Sequence, residues 1–550
     1  MLRSRAACGQ GAGGGRDPAC RRGALLCLPL LVALASASCS AAEHERRADR
    51  AANRVLREGA LRGVAERRES VRYPEPLAAD GAETDAPADA RSDVRAEPRE
   101  LLLDLASALE IAVQTNRDYL TRKESLFLTA LSLVGTRHSF SPLVTSTLGY
   151  VFADGRGIPT THDGSAAATL SQILPWGGNV TITGSTAISD TDAGTPSPST
   201  WNSDLSVSLR QPLLRGAGRE VTFEPLVQAE RDLVYAVRDF ELFREDFSID
   251  VARQFYGLVQ QKQSNANQAQ NLESNRFSRQ QAEALYRVGR TSSLDVLRAR
   301  RSELTSENQL LAEQERYLLA LDRFRIFLGL PDTVRVRIDA VPPEYVRLEY
   351  EMRSAIDVAL ENRLDYLNRR EQLEDAERAV RIARNGLLPD LSLDIGTGTS
   401  SSGATGFGSQ SFDEDVTVGL TLGLPLDRVF ERNAYRSTQI ELVRERRRLE
   451  QFRDELVVEI ESAFRELERR RSSLEIQEQL IEDQQRNVRI AQIRFQRGDI
   501  PNRDKVEAED ALLNARNELV QEQVNHELAR LELLRNLGIL FIDDKGMWNE

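Results

Sequence analysis

Two hydrophobic periodicities alternate along the chain, and each marks a different kind of element. In Val144 to Phe152, the residues Val144, Leu148, Tyr150 and Phe152 alternate with Thr145, Thr147 and Gly149. Asn179 to Ile188 and Leu205 to Leu209 repeat the pattern. Farther on come Leu391, Leu393 and Ile395, then Val416, Val418, Leu420, Leu422 and Leu424 set against Thr417, Gly419, Thr421 and Gly423. A period of two with Thr, Ser and Gly on the second face predicts strands with one apolar and one polar side. Elsewhere the period is helical. No proline occurs from Leu226 to Leu330, and Leu233, Val237, Phe240, Phe247, Val251, Phe255 and Leu258 keep a coiled-coil-like stripe. Residues 226–288 predict a rod of roughly 95 Å at about 1.5 Å per residue. The runs 101–138 and 292–328 read as helices of about half that length, which packs most economically as two stacked helices beside the continuous one. Residues 396–411, almost all Gly, Ser and Thr, read as a linker between strands.

The chain contains this arrangement twice. Sliding Gly289–Gly329 down to Gly498–Gly538, 209 positions, matches Gly289, Asp295, Ala299, Leu304, Asn308, Leu310, Leu328 and Gly329 to identical residues without a gap. Ser107–Leu120 likewise echoes in Ser354–Leu367, 247 residues later. Such self-similarity makes the body one elongated unit of two halves. Pro142 to Pro389 is also 247, whereas Pro212 to Pro425 is 213, so the first half carries about 34 extra residues among its strands. Ser165–Leu174, the turn Pro175-Trp176-Gly177-Gly178 and the strand after it read as an added hairpin, and the pattern leaves open whether 153–187 joins the wall or loops outside it.

Composition narrows the function. A net charge of −13 argues against a nucleic-acid-binding surface. All four cysteines (Cys8, Cys20, Cys27 and Cys39) precede residue 40, so the body has no disulfide or thiolate site. His44, His138, His162 and His526 are scattered singly, which gives a metal or histidine-based catalytic centre little to draw on. Three methionines and a cysteine-free body argue against a thioether or thiolate route for Cu(I) or Ag(I). Nothing points to an enzyme or a cofactor. Arg21-Arg22, the apolar run Ala24–Ala35 and Ser36-Ala37-Ser38-Cys39 have the form of an export signal over 1–38. It resembles a bacterial lipoprotein signal with Cys39 as the lipidated mature N-terminus, although Ser36 stands where that pattern usually has Leu. A plain cleaved signal is the alternative. Residues 39–100, rich in Ala, Arg, Glu, Asp and Pro, read as a disordered tether.

Strands about nine residues long with one polar face suit a transmembrane barrel with a wet interior. Four strands leave open edges that lipid does not tolerate, so copies of the chain must associate. The fold class that follows is a mixed α+β membrane protein built from a duplicated helix–strand–strand–helix unit, first repeat 101–340 and second 341–545, its β-barrel continued by an α-helical coiled-coil tube.

At this point the chain resembles the TolC-like outer-membrane efflux factor family over residues 101–540. The specific marks are Gln211-Pro212-Leu213-Leu214-Arg215-Gly216, the Val288-Gly289 turn with Leu294-Asp295-Val296-Leu297, and the paired Leu-Gly ends. The resemblance implies a homotrimer with a 12-stranded barrel in the bacterial outer membrane and a long periplasmic tunnel. It implies docking onto a periplasmic adaptor and an inner-membrane transporter, for efflux or type I secretion. The other readings are an extracytoplasmic coiled-coil structural protein and a periplasmic adaptor. The latter would show one hairpin flanked by small β domains. The turns Val288, Gly289, Arg290, Thr291 and Arg497, Gly498, Asp499, Ile500 become the adaptor-docking tips. The family's inner acidic ring falls on Asp504 and Glu507, which an i, i+3 spacing places on one helix face. Asp295 is the first-half counterpart of Asp504, and its plain alternative is a helix cap. The family's clamping tyrosine and arginine fall on Phe495 and Ile500, so that clamp is not expected here.

Overall fold

The computed structural model describes residues 41–63, 99–155, 158–192, 199–343, 345, 352–403, 413–497 and 499–549. The leader 1–38, Cys39, most of the remaining segment up to Arg99, and Gly498 lie outside the described residues. In chain order the first half comprises α1 (Ala41–Gly63), β1 (Arg99–Leu103), α2 (Leu105–Thr115), α3 (Arg117–Ser139), β2 (Leu143–Gly155), β3 (Ile158–Ile173), β4 (Asn179–Asp192), β5 (Thr200–Pro212), α4 (Arg219–Arg287) and α5 (Ser293–Phe327). After β6 (Val334–Ile338), the second half comprises α6 (Met352–Asn362), α7 (Leu364–Asn385), β7 (Asp390–Gly403), β8 (Asp413–Gly423), α8 (Val429–Arg497) and α9 (Asn502–Asn536), and β9 (Phe541–Ile542) and β10 (Trp548–Asn549) close the chain.

The two rods, α4 and α8, are 69 residues each, which is about 100 Å by helical rise. Helices α3 and α5 lie along α4, and α7 and α9 along α8, as two stacked half-length helices require. Each stack is joined by the Leu-Gly end found in the sequence. Gly329 (φ +77°) closes α5 with Gly329 N–H donating to Ile326 O and Leu330 N–H to Arg325 O, the paired bonds of a left-handed helix end. A Cβ on Gly329 would lie 2.2 Å from Thr115 O, at the end of α2. Gly538 (φ +67°) does the same for α9, facing Asn362 and Arg363. The glycines serve both the turn and the close approach.

The helix expected over 101–138 is divided. Leu101–Leu103 belong to β1, which pairs in parallel with β6, and the helical remainder breaks at Asn116. Asn116 Oδ1 accepts from Tyr119 N–H at 2.9 Å, capping α3, while its Nδ2 donates to Phe327 O at 2.6 Å. The break is therefore held by a tertiary contact to the end of α5. The tether expectation also needs correction over 41–63, where α1 packs Ala52 and Val55 into the main core and Glu58 pairs with Arg137 at 2.9 Å. Its few apolar residues suffice because the groove between α3 and α4 supplies the rest of the contact.

The sheet differs most from expectation. It has six strands, all antiparallel, in the order β2-β3-β4-β5-β7-β8. The added hairpin is β3 and β4, paired along its length with β2 and β5. The supposed linker from Gly396 to Gly403 is the second part of β7, paired with β5. Register explains why these sequences belong in a sheet. Leu148 pairs with Ala166, Ala166 with Thr186, Gly184 with Leu205, Val207 with Thr397 and Thr397 with Val416. Because successive side chains alternate faces, the apolar residues read from the sequence in β2, β4, β5, β7 and β8 fall on one face. Thr145, Thr183, Ser206, Gly398 and Thr417 fall on the other.

The main core lies midway along the rods. Tyr119 and Phe247 stand 5.1 Å apart by ring centroid, Phe247 and Phe327 6.0 Å, and Phe255 and Phe324 6.4 Å. The β9–β10 hairpin docks here, with Ser248 Oγ donating to Gly546 O at 2.9 Å and Arg244 Nη2 to Asp543 O at 2.7 Å. Among the described residues no helix is long and apolar enough to cross a membrane.

Candidate gate and docking tip

The far ends of the rods are built from short turns. Val288–Gly289 closes α4 as the Leu-Gly ends close α5 and α9. Gly289 has φ +72°, its N–H donates to Tyr286 O at 2.9 Å, and Arg290 N–H donates to Leu285 O at 2.8 Å. Among the described residues, its two chain neighbours aside, no atom comes within 4 Å of where a Cβ would stand, so conformation, not space, selects glycine. Val288 and Arg290 are exposed and Thr291 is half-buried. In the second turn Asp499 N–H donates to Arg494 O at 2.9 Å, at the same spacing as Arg290 to Leu285. Arg497 and Asp499 are exposed and Ile500 is half-buried.

Asp295 is committed to its own helix end. Ser292 Oγ donates to Asp295 Oδ2 at 2.6 Å and Thr291 Oγ1 at 3.1 Å, while Asp295 N–H donates back to Ser292 Oγ at 3.2 Å. This is a capping box. The hydrogen bond from Ser292 is the largest of the effects holding its carboxyl below the ordinary aspartate value. Asp504 and Glu507 are different. Both are exposed on the first turns of α9, and Glu507 Oε2 lies 3.9 Å from Arg503 Nε. They share one helix face as the spacing predicts. Glu507 also borders a groove of about 830 Å³ between α5 and α9, where Arg298, Arg301 and Arg316 face it from α5.

The residue that sequence reasoning passed over is Lys505. It lies between the two acids, yet it is 1% exposed. Its Nζ donates to Ser278 Oγ on α4 at 2.6 Å, stands 5.7 Å from the ring centroids of Phe277 on α4 and Phe495 on α8, and lies 3.6 Å from Glu509 Oε1. Phe495, where the clamping tyrosine was sought, is itself buried. One lysine thus joins α9 to both rods through a hydroxyl and two aromatic faces. A signal was present in the sequence: only Lys123, Lys262, Lys505 and Lys545 are lysines among 72 cationic residues.

Lys505 begins a polar seam between α4 and α9. Ser274 Oγ donates to Glu509 Oε1 at 2.6 Å, Asn271 Nδ2 to Asp510 Oδ1 at 3.4 Å, and Asn267 Nδ2 to Asn517 Oδ1 at 2.7 Å, and Gln260 bonds Gln521 beyond them. Asn275 Nδ2 extends the seam to Ser306 Oγ of α5 at 2.7 Å. Here α4 meets α9 through amides, hydroxyls and carboxylates.

Comparison with known proteins agrees with this architecture. A profile of the family described as "Outer membrane efflux protein" matches residues 175–330 and 355–538. No curated protein sequence matches the chain. Among solved structures, CusC superposes with a TM-score of 0.61 at 13% identity, over 79% of this chain and 92% of that one. The outer-membrane channel OprN gives 0.59 at 18% identity, over 79% and 89%. The outer membrane protein VceC of Vibrio cholerae gives 0.59 at 17% identity, over 79% and 96%.

Proposed function

Because the chain belongs to the outer membrane efflux protein family, we propose that three copies close into a transmembrane barrel continued by a helical tube, gated where α8 meets α9. The protein is the outer-membrane channel of a tripartite efflux system, seated in the bacterial outer membrane with a periplasmic extension. Its family is one of channels, not enzymes. The single observation that carries the barrel reading is the register: six antiparallel strands gather large apolar residues such as Leu148, Ile182, Leu205, Leu393 and Leu420 on one face and leave the other to small and polar residues such as Thr145, Thr183, Ser206 and Thr417, while among the described residues β2 and β8 remain unpaired edges. A coiled-coil tether or a periplasmic adaptor has no use for such a wall.

In this assembly the tips Val288–Thr291 and Arg497–Ile500 meet the hairpin of a periplasmic adaptor, which links the channel to an inner-membrane transporter. Asp504 and Glu507 of three copies put six carboxylates around the periplasmic mouth. A ring of that kind attracts cations and repels anions. Cys39, if lipidated, anchors the chain two residues before α1 begins at Ala41.

The test is reconstitution of the detergent-extracted protein in planar bilayers. We expect a trimer by mass, cation-selective currents, and block by multivalent cations added on the tip side. The double variant Asp504→Asn/Glu507→Gln should weaken selectivity and block while leaving the trimer intact. An unchanged reversal potential would reduce both residues to surface acids. A folded monomer in detergent would refute the assembly itself. For the anchor, mass spectrometry of the mature N-terminus should show acyl chains that Cys39→Ser removes.

A further inference from the structure

The first half carries one hairpin more than the second among its strands, and this hairpin is held as part of the sheet. Strands β3 and β4 are 16 and 14 residues long, against 13 each for β2 and β5. Their return turn is fixed where the sheet meets α4. Leu174 N–H donates to Gly178 O at 2.7 Å, Gly218 N–H to Trp176 O at 3.1 Å, and Gln211 Nε2 also to Trp176 O at 3.1 Å. Gly177, at φ +91°, leaves only 2.5 Å between a Cβ and Gly216 O. Gln211 and Gly216 of the motif after β5 therefore grip the turn, and a free external loop would have no such attachment.

Among the described residues both edges of the six-stranded sheet are unpaired, and their directions are fixed by number. With every neighbour antiparallel and the count even, β2 and β8 run in opposite senses. A join of β8 in one copy to β2 in the next is then antiparallel, like every other pairing in the sheet. The two edges are also of similar length, 13 and 11 residues, and Leu148, Tyr150, Val418 and Leu420 continue the apolar face to each of them. Unpaired edges are not tolerated in lipid.

We propose that the outer-membrane wall of this channel is closed between copies by β8–β2 pairing into a barrel of eighteen strands, six from each chain, with β3 and β4 facing both lipid and lumen. This rests on the three-copy assembly proposed above. At equal tilt, barrel diameter grows roughly in proportion to strand number, so the bore is about half again as wide as that of a twelve-stranded wall. The polar face lining it carries small residues such as Thr145, Ala167, Ser185, Ser206 and Gly398, with Asp163, Asp204 and Asp415 placed among them and Arg210 near the end of β5. The cargo this wall suits is bulky, hydrated and neutral or cationic.

Cryo-electron microscopy of the purified full-length trimer should show eighteen strands, and deletion of residues 156–189 should reduce them to twelve. A trimer whose barrel has twelve strands, with β3–β4 folded outside it, overturns the proposal and leaves the three-copy reading standing. Another copy number overturns that reading instead. If the deletion does not fold, paired cysteines in the full chain provide the second test. Thr147→Cys combined in turn with Thr417→Cys, Gly419→Cys or Thr421→Cys should, for at least one pair, give disulfide-linked dimers and trimers. Absence of inter-chain links at all three overturns the β8–β2 join.

Discussion

Rod α4 runs through two environments, and they hold their neighbours by different means. Midway along, Phe247, Phe255 and Phe324 pack in a dry aromatic cluster that joins α3, α4, α5 and the C-terminal hairpin. Toward the tip, the same rod meets α9 through Asn267, Asn271, Ser274 and Ser278. Apolar burial is strong and non-directional, so the cluster sets stability. Paired amides and hydroxyls contribute little net free energy each, but they are costly to leave unmade, so they fix register. A seam of this second kind can part and re-form as a unit if water or new partners take over its bonds. The contrast puts an apolar anchor at the middle of the molecule and a polar, register-setting seam toward its end.

The largest effect should come from breaking the fixed region. Phe324→Ala empties a fully buried site and should cost about 3–5 kcal/mol, read as a lowered midpoint in thermal or denaturant unfolding. A shift under about 1 kcal/mol would mean that the cluster is not the stabilising centre. Lys505→Met should cost less, about 1–3 kcal/mol through the hydroxyl and carboxylate partners it leaves. It should instead raise the open probability of the reconstituted channel. If Lys505→Met stays as closed as the parent, the lysine only fills space.

Gly289→Ala tests the turn itself. Forcing an L residue into its left-handed conformation costs about 1–2 kcal/mol. Since the surroundings are empty, Gly289→Leu should cost no more than Gly289→Ala, and adaptor crosslinking at the tip should fall equally for both. A marked difference between them would point to a missing steric neighbour.

The smallest effect should be the pH response of His526. It is buried against the Tyr345 ring, 4.8 Å by centroid, near Glu527 and Arg530. Burial holds its pKa below the ordinary histidine value. A group whose folded pKa is depressed stays neutral in the fold, while the unfolded chain takes up the proton first as pH falls. Its stabilising contribution is therefore present above about pH 6.5 and is lost progressively below it. Unfolding midpoints should drop between pH 7.5 and 5.5, and His526→Gln should flatten that slope. An equally steep slope in the variant would assign the effect to other groups.

Much of the architecture was legible because its signals are local. Val416, Val418, Leu420 and Leu422 announce a strand in any context, and the Leu-Gly ends announce helix stops. What escaped depends on neighbours. Ala166-Ala167-Ala168 has no alternation to read, and Gly396–Gly403 has no apolar partner set of its own; both become strands because adjacent strands supply the register. Asn116 caps α3 locally through Tyr119 N–H, but its second bond, to Phe327 O, comes from a distant segment. The turn that ends each long rod was readable from the repeat, and the i, i+3 spacing of Asp504 and Glu507 from their segment alone. The burial of Lys505 was not, since nothing in its own segment says that Phe277, Ser278 and Phe495 surround it. Its rarity as a lysine was the available hint.

The even strand count has a consequence for how a wall like this changes calibre. One extra strand would leave the two edges running in the same sense and spoil the join, so the smallest workable change is a whole hairpin. Because every copy carries it, the pore widens in large discrete steps, while the rods that fix the tube are left untouched. The 34-residue excess of the first half is one such step. Bore and gate are thus inherited on separate segments of the chain, and either can be exchanged without redesigning the other.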